Sequence, residues 1–313
     1  MVTAVVLTYN GRELLDVVLP TLAAQTFADV ELVVVDNGST DDTLEWLSAN
    51  WPTVRCIAIP QNLGVTPALN VCLRSGRGEF VFLLNNDMEL EPSCLTELVS
   101  ALHEHPSAAA AGPKLIDFYR RDVLDGAGDV FTWAGHGHRR GHGERDVGQY
   151  DEARDIFGVC GGAALYRRAA LEAVGPFDED FHAFFEDVDW SLRAQLAGWT
   201  SRYVPSAVAY HMGSATLGKQ LTDGTCYQLW RNTVWLVVKG LPSSLIVRHA
   251  HQLLLGQAIN LAVAVRDGRL RVWLRAWRDA LAAMPLMLSR RRAIQRSRQV
   301  SARELAVRLG PQG

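Results

Sequence analysis

In the stretch 80–90, FVFLLNNDMEL, five apolar residues stop abruptly at Asn85, Asn86 and Asp87. The apolar run reads as a strand buried on both faces, and in open α/β sheets ligands collect beyond the carboxyl ends of such strands. Oxygen-bearing side chains there suit a ligand or a cation, although alone they equally mark a turn. Three more stretches share this placement: LTYNG (7–11), VDNGSTDD (35–42) and FFEDVDW (184–190). One polar strand end is ordinary; four together look like a site. In FFEDVDW, Glu186, Asp187 and Asp189 stand beside Phe184, Phe185 and Trp190. Like charges against apolar rings are costly unless they bind something or one takes a proton. A helix's first turn also favours acids through the macrodipole, which accounts for Asp189 more readily than for all three.

The elements that position these residues alternate. TAVVLT, VELVVVD, VRCIAI and EFVFLLN read as strands. GRELLDVVLPTLAAQ, kinked or split at Pro20, DDTLEWLSAN, capped by Ser39, Thr40 or Asp41, and TPALNVCLRSG read as the helices between them. Such alternation implies a mostly parallel sheet covered on both faces. Residues 117–157 lose the rhythm and become rich in Gly, Asp, Arg and His, as in an active-site loop or an acceptor-facing insertion. His136, His138, His142 and His182 suggest a metal tract, but a solvated loop is the simpler reading. GVCGGAALYRRAALEAVG restores a strand and a helix, and AVAYHMGSATLG is a strand running into a loop. After Asp223 the chain reads as mainly helical.

At 313 residues with 48% hydrophobic and 21% charged residues, the chain has the composition of a soluble protein with a substantial core. Its net charge of −3 hides an asymmetry: eleven Arg against two Asp lie between Arg248 and Arg298. The segment 244–265 has the length of a membrane span but is interrupted by Arg248, His249, His251, Gln252, Gln257 and Asn260. RLRVWLRAWRDALAAMPLMLSRRR sets Trp273 and Trp277 among arginines, a pattern suited to an anionic membrane surface or to an ordinary packing helix with a basic face. Five scattered cysteines without CxxC spacing favour reduced thiols in a cytosolic compartment. MVTAVVLTYNG lacks the features of a signal peptide. The expected location is therefore cytoplasmic, peripheral on the inner face of the cell membrane.

Together with YHMGS (210–214), the four polar stretches resemble the inverting GT-A glycosyltransferases of family 2, particularly the rhamnosyltransferase-like members that build bacterial surface polysaccharides. The resemblance runs from about residue 2 to residue 240. It implies a Rossmann-like, mostly parallel mixed sheet flanked by helices, divided into a nucleotide-binding half (1–115) and an acceptor and catalytic half (116–240). Residues 241–313 form a basic helical extension. By this resemblance Asn85-Asn86-Asp87 corresponds to the family's Asp-x-Asp motif, with Asn departing from the pattern at the first position. The metal role then rests on Asp87 and His211, and Asn85 and Asn86 hydrogen-bond ribose or phosphate. The cofactor is a divalent cation, Mg2+ or Mn2+, needed because charge develops on the leaving diphosphate. Thr8, Tyr9 and Asn10 border the nucleotide, Asp36 accepts from the imide N–H of uracil or thymine, and Asn62, Gly64 and Asn70 lie on the same side. Asp187 is the general base and Glu186 orients acceptor or base. Gly161, Gly162 and Trp190 face donor sugar or acceptor, Arg231 touches the diphosphate, and MGSATLGKQLTDG closes over bound donor.

The implied reaction moves a sugar, rhamnose first among the candidates, from a dTDP- or UDP-linked donor to a glycan or a polyprenyl-diphosphate-linked acceptor. Two other classes stay open. A sugar nucleotidyltransferase would show a Gly-rich basic segment after the first strand, which TYNGREL does not supply. A noncatalytic membrane-associated binding protein would make Glu186 and Asp187 incidental. No Walker loop, hydrolase elbow or nucleic-acid module is legible.

Overall fold

The computed structural model describes residues 1–213 and 222–309. Its centre is a mixed sheet in the order β10-β12-β6-β11-β4-β1-β2-β3. The first half is built by right-handed alternation: β1 (Val2–Thr8), α1 (Arg12–Ala23), β2 (Val30–Asp36), α2 (Thr43–Asn50), β3 (Arg55–Ala58), α3 (Val65–Arg74) and β4 (Phe80–Asn85). These four strands are mutually parallel, and their register sets Thr8 opposite Asp36 and Leu7 opposite Asn85. Three polar strand ends therefore line up at one edge. The continuous apolar sequence of β4 follows from burial on both faces: Phe80, Phe82 and Leu84 enter one core, Val81 and Leu83 the other.

The second half turns the sheet antiparallel. After β5 (Met88–Leu90) and α4 (Cys94–Glu104) come β6 (Ala108–Asp117), β7 (Leu124–Gly126), β8 (Asp129–Phe131), β9 (Gly137–Arg139) and β10 (Arg154–Ile156). Next are β11 (Ala163–Arg167), α5 (Arg168–Val174), α6 (Glu186–Leu196) and β12 (Thr200–His211). β11 runs antiparallel to β4, so Gly162 O accepts from Asn85 N at 2.8 Å. β12 pairs with β5 so that His211 faces Met88, and Met212 N donates to Asp87 O at 3.0 Å. Residues about 77 to 125 positions apart in sequence thus meet through backbone pairing alone.

The rest of the described chain is helical: α7 (Asp223–Gly240), α8 (Ser243–Arg248), α9 (Ala250–Arg266), α10 (Leu270–Ala282), α11 (Met284–Ser297) and α12 (Ala302–Arg308). One hydrophobic core joins Val188 and Leu192 of α6 to Trp235, Ala280, Met287 and Leu305 of these helices. Lys239, buried, pairs with Asp178 at 2.5 Å and Asp189 at 2.7 Å, and Arg290 pairs with Asp178 and Asp180. Burial opposes charge on Asp178, but Lys239 and Arg290 hold its pKa down to about 2.

Three expectations change. α1 runs through Pro20 without a break, because only three residues follow it and Pro20 O still accepts from Ala24 N. The glycine-rich segment 117–157 is not a plain loop; it contains β7 to β10, with β8 and β9 forming a separate hairpin sheet. Trp273 and Trp277 face inward, Trp273 packing beside Trp230 and Ala264, and Trp277 against the core shared with α6. Among the described residues no helix is long and apolar enough to cross a membrane. Most of the expected closing segment, 214–221, lies outside the described residues.

Candidate active site

The aligned strand ends open into a cleft of about 640 Å³. Thr8, Tyr9, Asn62, Gly64, Asn85, Asn86, Asp87, Gly161, Gly162, Glu186, Asp187 and His211 all line it. Thr8 Oγ1 accepts from Asn86 Nδ2 at 3.0 Å, tying β1 to the end of β4. This contact explains Gly11: a Cβ there would stand 2.3 Å from Asn86 Nδ2 and 2.4 Å from Thr8 Oγ1.

Asp87 and His211 form one pole of the cleft. His211 Nδ1 lies 2.8 Å from Asp125 Oδ2, and His211 Nε2 lies 3.4 Å from Asp87 Oδ2. Burial alone would lower the His211 pKa, but its hydrogen bonds with Asp125 and Asp87 outweigh that and push it up to about 9. Arg139 pairs with Asp125 and lies 3.4 Å from His211 Nδ1. Asp125 thus orients the imidazole from behind. The donor set fits a hard divalent cation: Asp87 Oδ1 is buried without a hydrogen-bond partner, and a carboxylate and an imidazole point at one another. Among the described residues no group of three or more His, Cys, Asp or Glu could hold a metal. Among the described residues Asp87 and His211 are thus the two candidate ligands at this pole, and phosphate oxygens and water would supply the others.

The other pole is the first turn of α6. Asp187 Oδ2 accepts from Gly161 N at 2.9 Å and Oδ1 from Val188 N at 2.8 Å, leaving lone pairs on both oxygens. Gly161 permits this approach; a Cβ there would stand 3.2 Å from Asp187 Oδ2. Glu186 is buried with Oε2 unpartnered, and burial followed by the Asp187 charge pushes its pKa up to about 8. Asp129, from β8, is likewise buried with Oδ1 unpartnered, and the same two causes raise it to about 7. Adjacent carboxyls cannot all ionise in such a place, so burial and crowding favour the protonated form of Glu186 and raise Asp129.

A stability test follows from Glu186. The folded protein keeps a proton that the unfolded chain, with an ordinary value of 4.5, releases. The stability from that neutral carboxyl is full below pH 4.5 and is lost as pH rises through about 8. Glu186→Gln, which stays neutral, should melt several degrees above the wild type at about pH 8.5 and close to it at about pH 5, with roughly 2–4 °C for each kcal/mol relieved. Equal melting shifts at both pH values in a calorimetric scan would contradict a neutral Glu186.

The turn that presents these carboxyls is strained. His182, Phe184 and Phe185 have φ of 60°, 65° and 69°, a left-handed run of non-glycine residues costing roughly 1–3 kcal/mol each. Asn232 Nδ2 lies 3.0, 3.0 and 2.8 Å from the carbonyls of Phe181, Ala183 and Phe184. Arg231 Nη2 donates to the carbonyls of Asp180 and Phe181, and Thr66 donates to His182 O.

Several expected contacts lie elsewhere. Arg231 is buried, stacks on Trp235 at 4.2 Å and serves the turn, not the cleft. Trp190 is fully buried, edge-on to Tyr166 with Nε1 donating to Gly175 O, so it cannot touch an acceptor. Asn70 bridges α3 to Phe177 N and O. Asp36 accepts from Ser39 N at 2.9 Å and from Ser39 Oγ, and Asn10 accepts from Thr40 N. Neither Asp36 nor Asn10 lines the cleft, though their bonds shape its rim. Asn37, Asp129 and Arg139 also line it without a sequence expectation for the site, as does His138, expected only in a solvated loop. Asn37 was visible beside Asp36; the other three sit in the segment without periodicity, where no pattern says which side chain turns inward.

Comparison with known proteins identifies the family and the fold. The model described as Glycosyl transferase family 2 matches residues 3–175. The N-acetylglucosaminyl-diphospho-decaprenol L-rhamnosyltransferase of Mycobacterium tuberculosis is 29% identical over 245 residues, covering 69% of this chain and 77% of that protein. The uncharacterized protein y4gI of Sinorhizobium fredii is 30% identical over 239 residues, 68% of this chain, but the match spans only 26% of its own length. Among solved structures, S. aureus TarS 1-349 in complex with UDP-GlcNAc superposes with a TM-score of 0.60 at 20% identity, covering 98% of this chain and 91% of that one. GalNAc-T7 with UDP, GalNAc and Mn2+ superposes at 0.61 with 15% identity, over 76% of this chain and 48% of that one. The structural likeness establishes the GT-A fold, the matched model covers more than half of the sequence, and the chain belongs to glycosyl transferase family 2.

Proposed function

We propose that the protein is an inverting, metal-dependent glycosyltransferase that moves a sugar, rhamnose first among candidates, from a pyrimidine nucleoside-diphosphate donor to a hydroxyl of a lipid-linked saccharide. The observation that carries this reading is a single cleft with Asp187 at one pole and Asp87 with His211 at the other. Asp187, held by two backbone N–H groups, takes the proton of the acceptor hydroxyl as that oxygen bonds to the anomeric carbon. The anomeric bond to the diphosphate breaks on the opposite side, which inverts the centre. A divalent cation, Mn2+ or Mg2+, neutralises charge on the departing diphosphate when bound. Asp87 and His211 would hold it, with Asp125 and Arg139 fixing the imidazole. Glu186, raised to about 8 by burial and the Asp187 charge, presents a protonated carboxyl that can donate to a sugar oxygen.

The mycobacterial relative's name, with its diphospho-decaprenol acceptor and rhamnosyl transfer, supports the donor and acceptor classes; UDP and UDP-GlcNAc in the two structural neighbours support a pyrimidine, and GDP-Man in a third, a mannosyltransferase, makes GDP the nucleotide to test against it. The same acceptor class supports a role in cell-surface polysaccharide synthesis at the inner face of the membrane. Calorimetric titration with UDP, dTDP and GDP in Mn2+ or in EDTA tests the donor site. Binding of UDP or dTDP in Mn2+, weak or absent in EDTA, is expected, with GDP binding at least about tenfold weaker, a gap of about 1.4 kcal/mol. Failure of both pyrimidine nucleotides to bind would remove the proposal.

A further inference from the structure

Ten of the fifteen large apolar side chains that are exposed among the described residues fall between Val247 and Leu288. The densest run is on α9. Its inner face buries Gly256, Asn260 and Ala264, one helical turn apart. Its outer face carries Leu254, Leu255, Ile259 and Val265, exposed at 70%, 60%, 54% and 59%. From Ala250 to Val265 there is no Asp, Glu, Lys or Arg. Arg248 and Arg266 mark its two ends, and exposed Arg271, Arg275 and Arg278 follow on α10. With 17 residues α9 falls short of the roughly 20 that span a bilayer.

The inner face of the same helix, with His249 just before it, packs against the hairpin that supplies part of the cleft. Trp133, in the turn of the β8–β9 hairpin, stacks on His249 with ring centroids 3.7 Å apart. His136 Nε2 lies 3.5 Å from Asn260 Nδ2, and a Cβ at Gly256 would stand 2.4 Å from Ala134 O. This hairpin delivers Asp129, His138 and Arg139 to the cleft.

We propose that the outer face of α9, flanked by the arginines of α8 and α10, is the surface by which the protein lies on an anionic lipid membrane. It extends the proposed lipid-linked acceptor without depending on which sugar is moved. The surface shifts the membrane contact from the inward-facing tryptophans of α10 to the leucine and isoleucine row of α9. Charge decides between lipid and a second copy of the chain. The rim sets Arg248, Arg266, Arg271, Arg275 and Arg278 against Asp267 and Asp279, which pair with arginines there, so it keeps a surplus of positive charge; a two-fold contact through this face would bring one such rim against another, whereas acidic headgroups complement it.

Flotation of the full chain with vesicles rich in phosphatidylglycerol, against vesicles of phosphatidylcholine alone, tests the surface. Wild type should float with the anionic vesicles only, and Leu255→Gln/Ile259→Gln should reduce that fraction about tenfold. Manganese-dependent UDP binding by the double variant should equal that of wild type, showing that the fold and cleft survive. Wild type that stays with the soluble fraction, or a variant that floats equally well, would overturn the proposal. So would a wild-type dimer in analytical ultracentrifugation that the double substitution dissolves, since the face would then serve a second copy. Vesicle binding without sugar transfer would instead count against the proposed reaction, and transfer to a short-chain soluble acceptor without vesicle binding would count against the surface alone.

Discussion

Asp187→Asn should reduce sugar transfer by about 10³-fold, within the 10²- to 10⁴-fold that a positioned general base contributes, while leaving nucleotide binding within about twofold of wild type. The carboxylate makes no bond with the residues at the cation pole; its partners are Gly161 N and Val188 N. An asparagine has one acceptor oxygen for two backbone donors, so one N–H loses its partner at a cost of roughly 1–3 kcal/mol. A lower melting temperature should therefore accompany the kinetic loss, and nucleotide titration separates the two effects. Steady-state turnover with saturating donor is the decisive reading. A loss of only a few-fold would remove Asp187 as the base and shift attention to Glu186, whose Gln variant should otherwise retain more activity than Asp187→Asn.

Asp87→Ala should abolish the metal-dependent part of nucleotide binding, weakening UDP or dTDP by about 100-fold in Mn2+, roughly 2.7 kcal/mol, and leaving binding in EDTA unchanged. The reason is chemical: Asp87 holds a buried, unpartnered Oδ1 and faces His211, and no cluster of three or more ligands offers a substitute among the described residues. Removing it leaves the imidazole as the remaining ligand at that pole. Calorimetry on the variant with and without Mn2+ checks this directly. If manganese strengthened nucleotide binding in the variant as much as in wild type, the cation would have to lie elsewhere.

Other residues show how far spacing carries an argument. FVFLLNND was legible as a strand buried on both faces and ending in polar groups because a continuous apolar run is what two covered faces require. FFEDVDW was legible as an acidic helix start beside aromatic rings. Its division of labour was not: Asp187 turns to the cleft, while Asp189 is buried against Lys239 and Arg193. Periodicity assigns residues to faces of an element but leaves open what covers each face. For that reason Trp273 and Trp277, set among arginines, read first as lipid-facing, whereas Trp230 and the core beside α6 cover them.

By itself the sequence determined the alternating α/β architecture, the polar ends of the first, second and fourth strands and the acidic turn before residue 190, because each depends on neighbours within a few positions. Only the tertiary structure decided that Asp125 backs His211, that Asp129 and Arg139 enter the cleft from a hairpin, and that Arg231 and Asn232 hold a strained turn instead of a ligand. Those contacts join residues about 50 to 86 positions apart in the chain, or reach the cleft from a segment with no repeating pattern. Their partners are chosen by sheet register and helix packing, which no local spacing encodes.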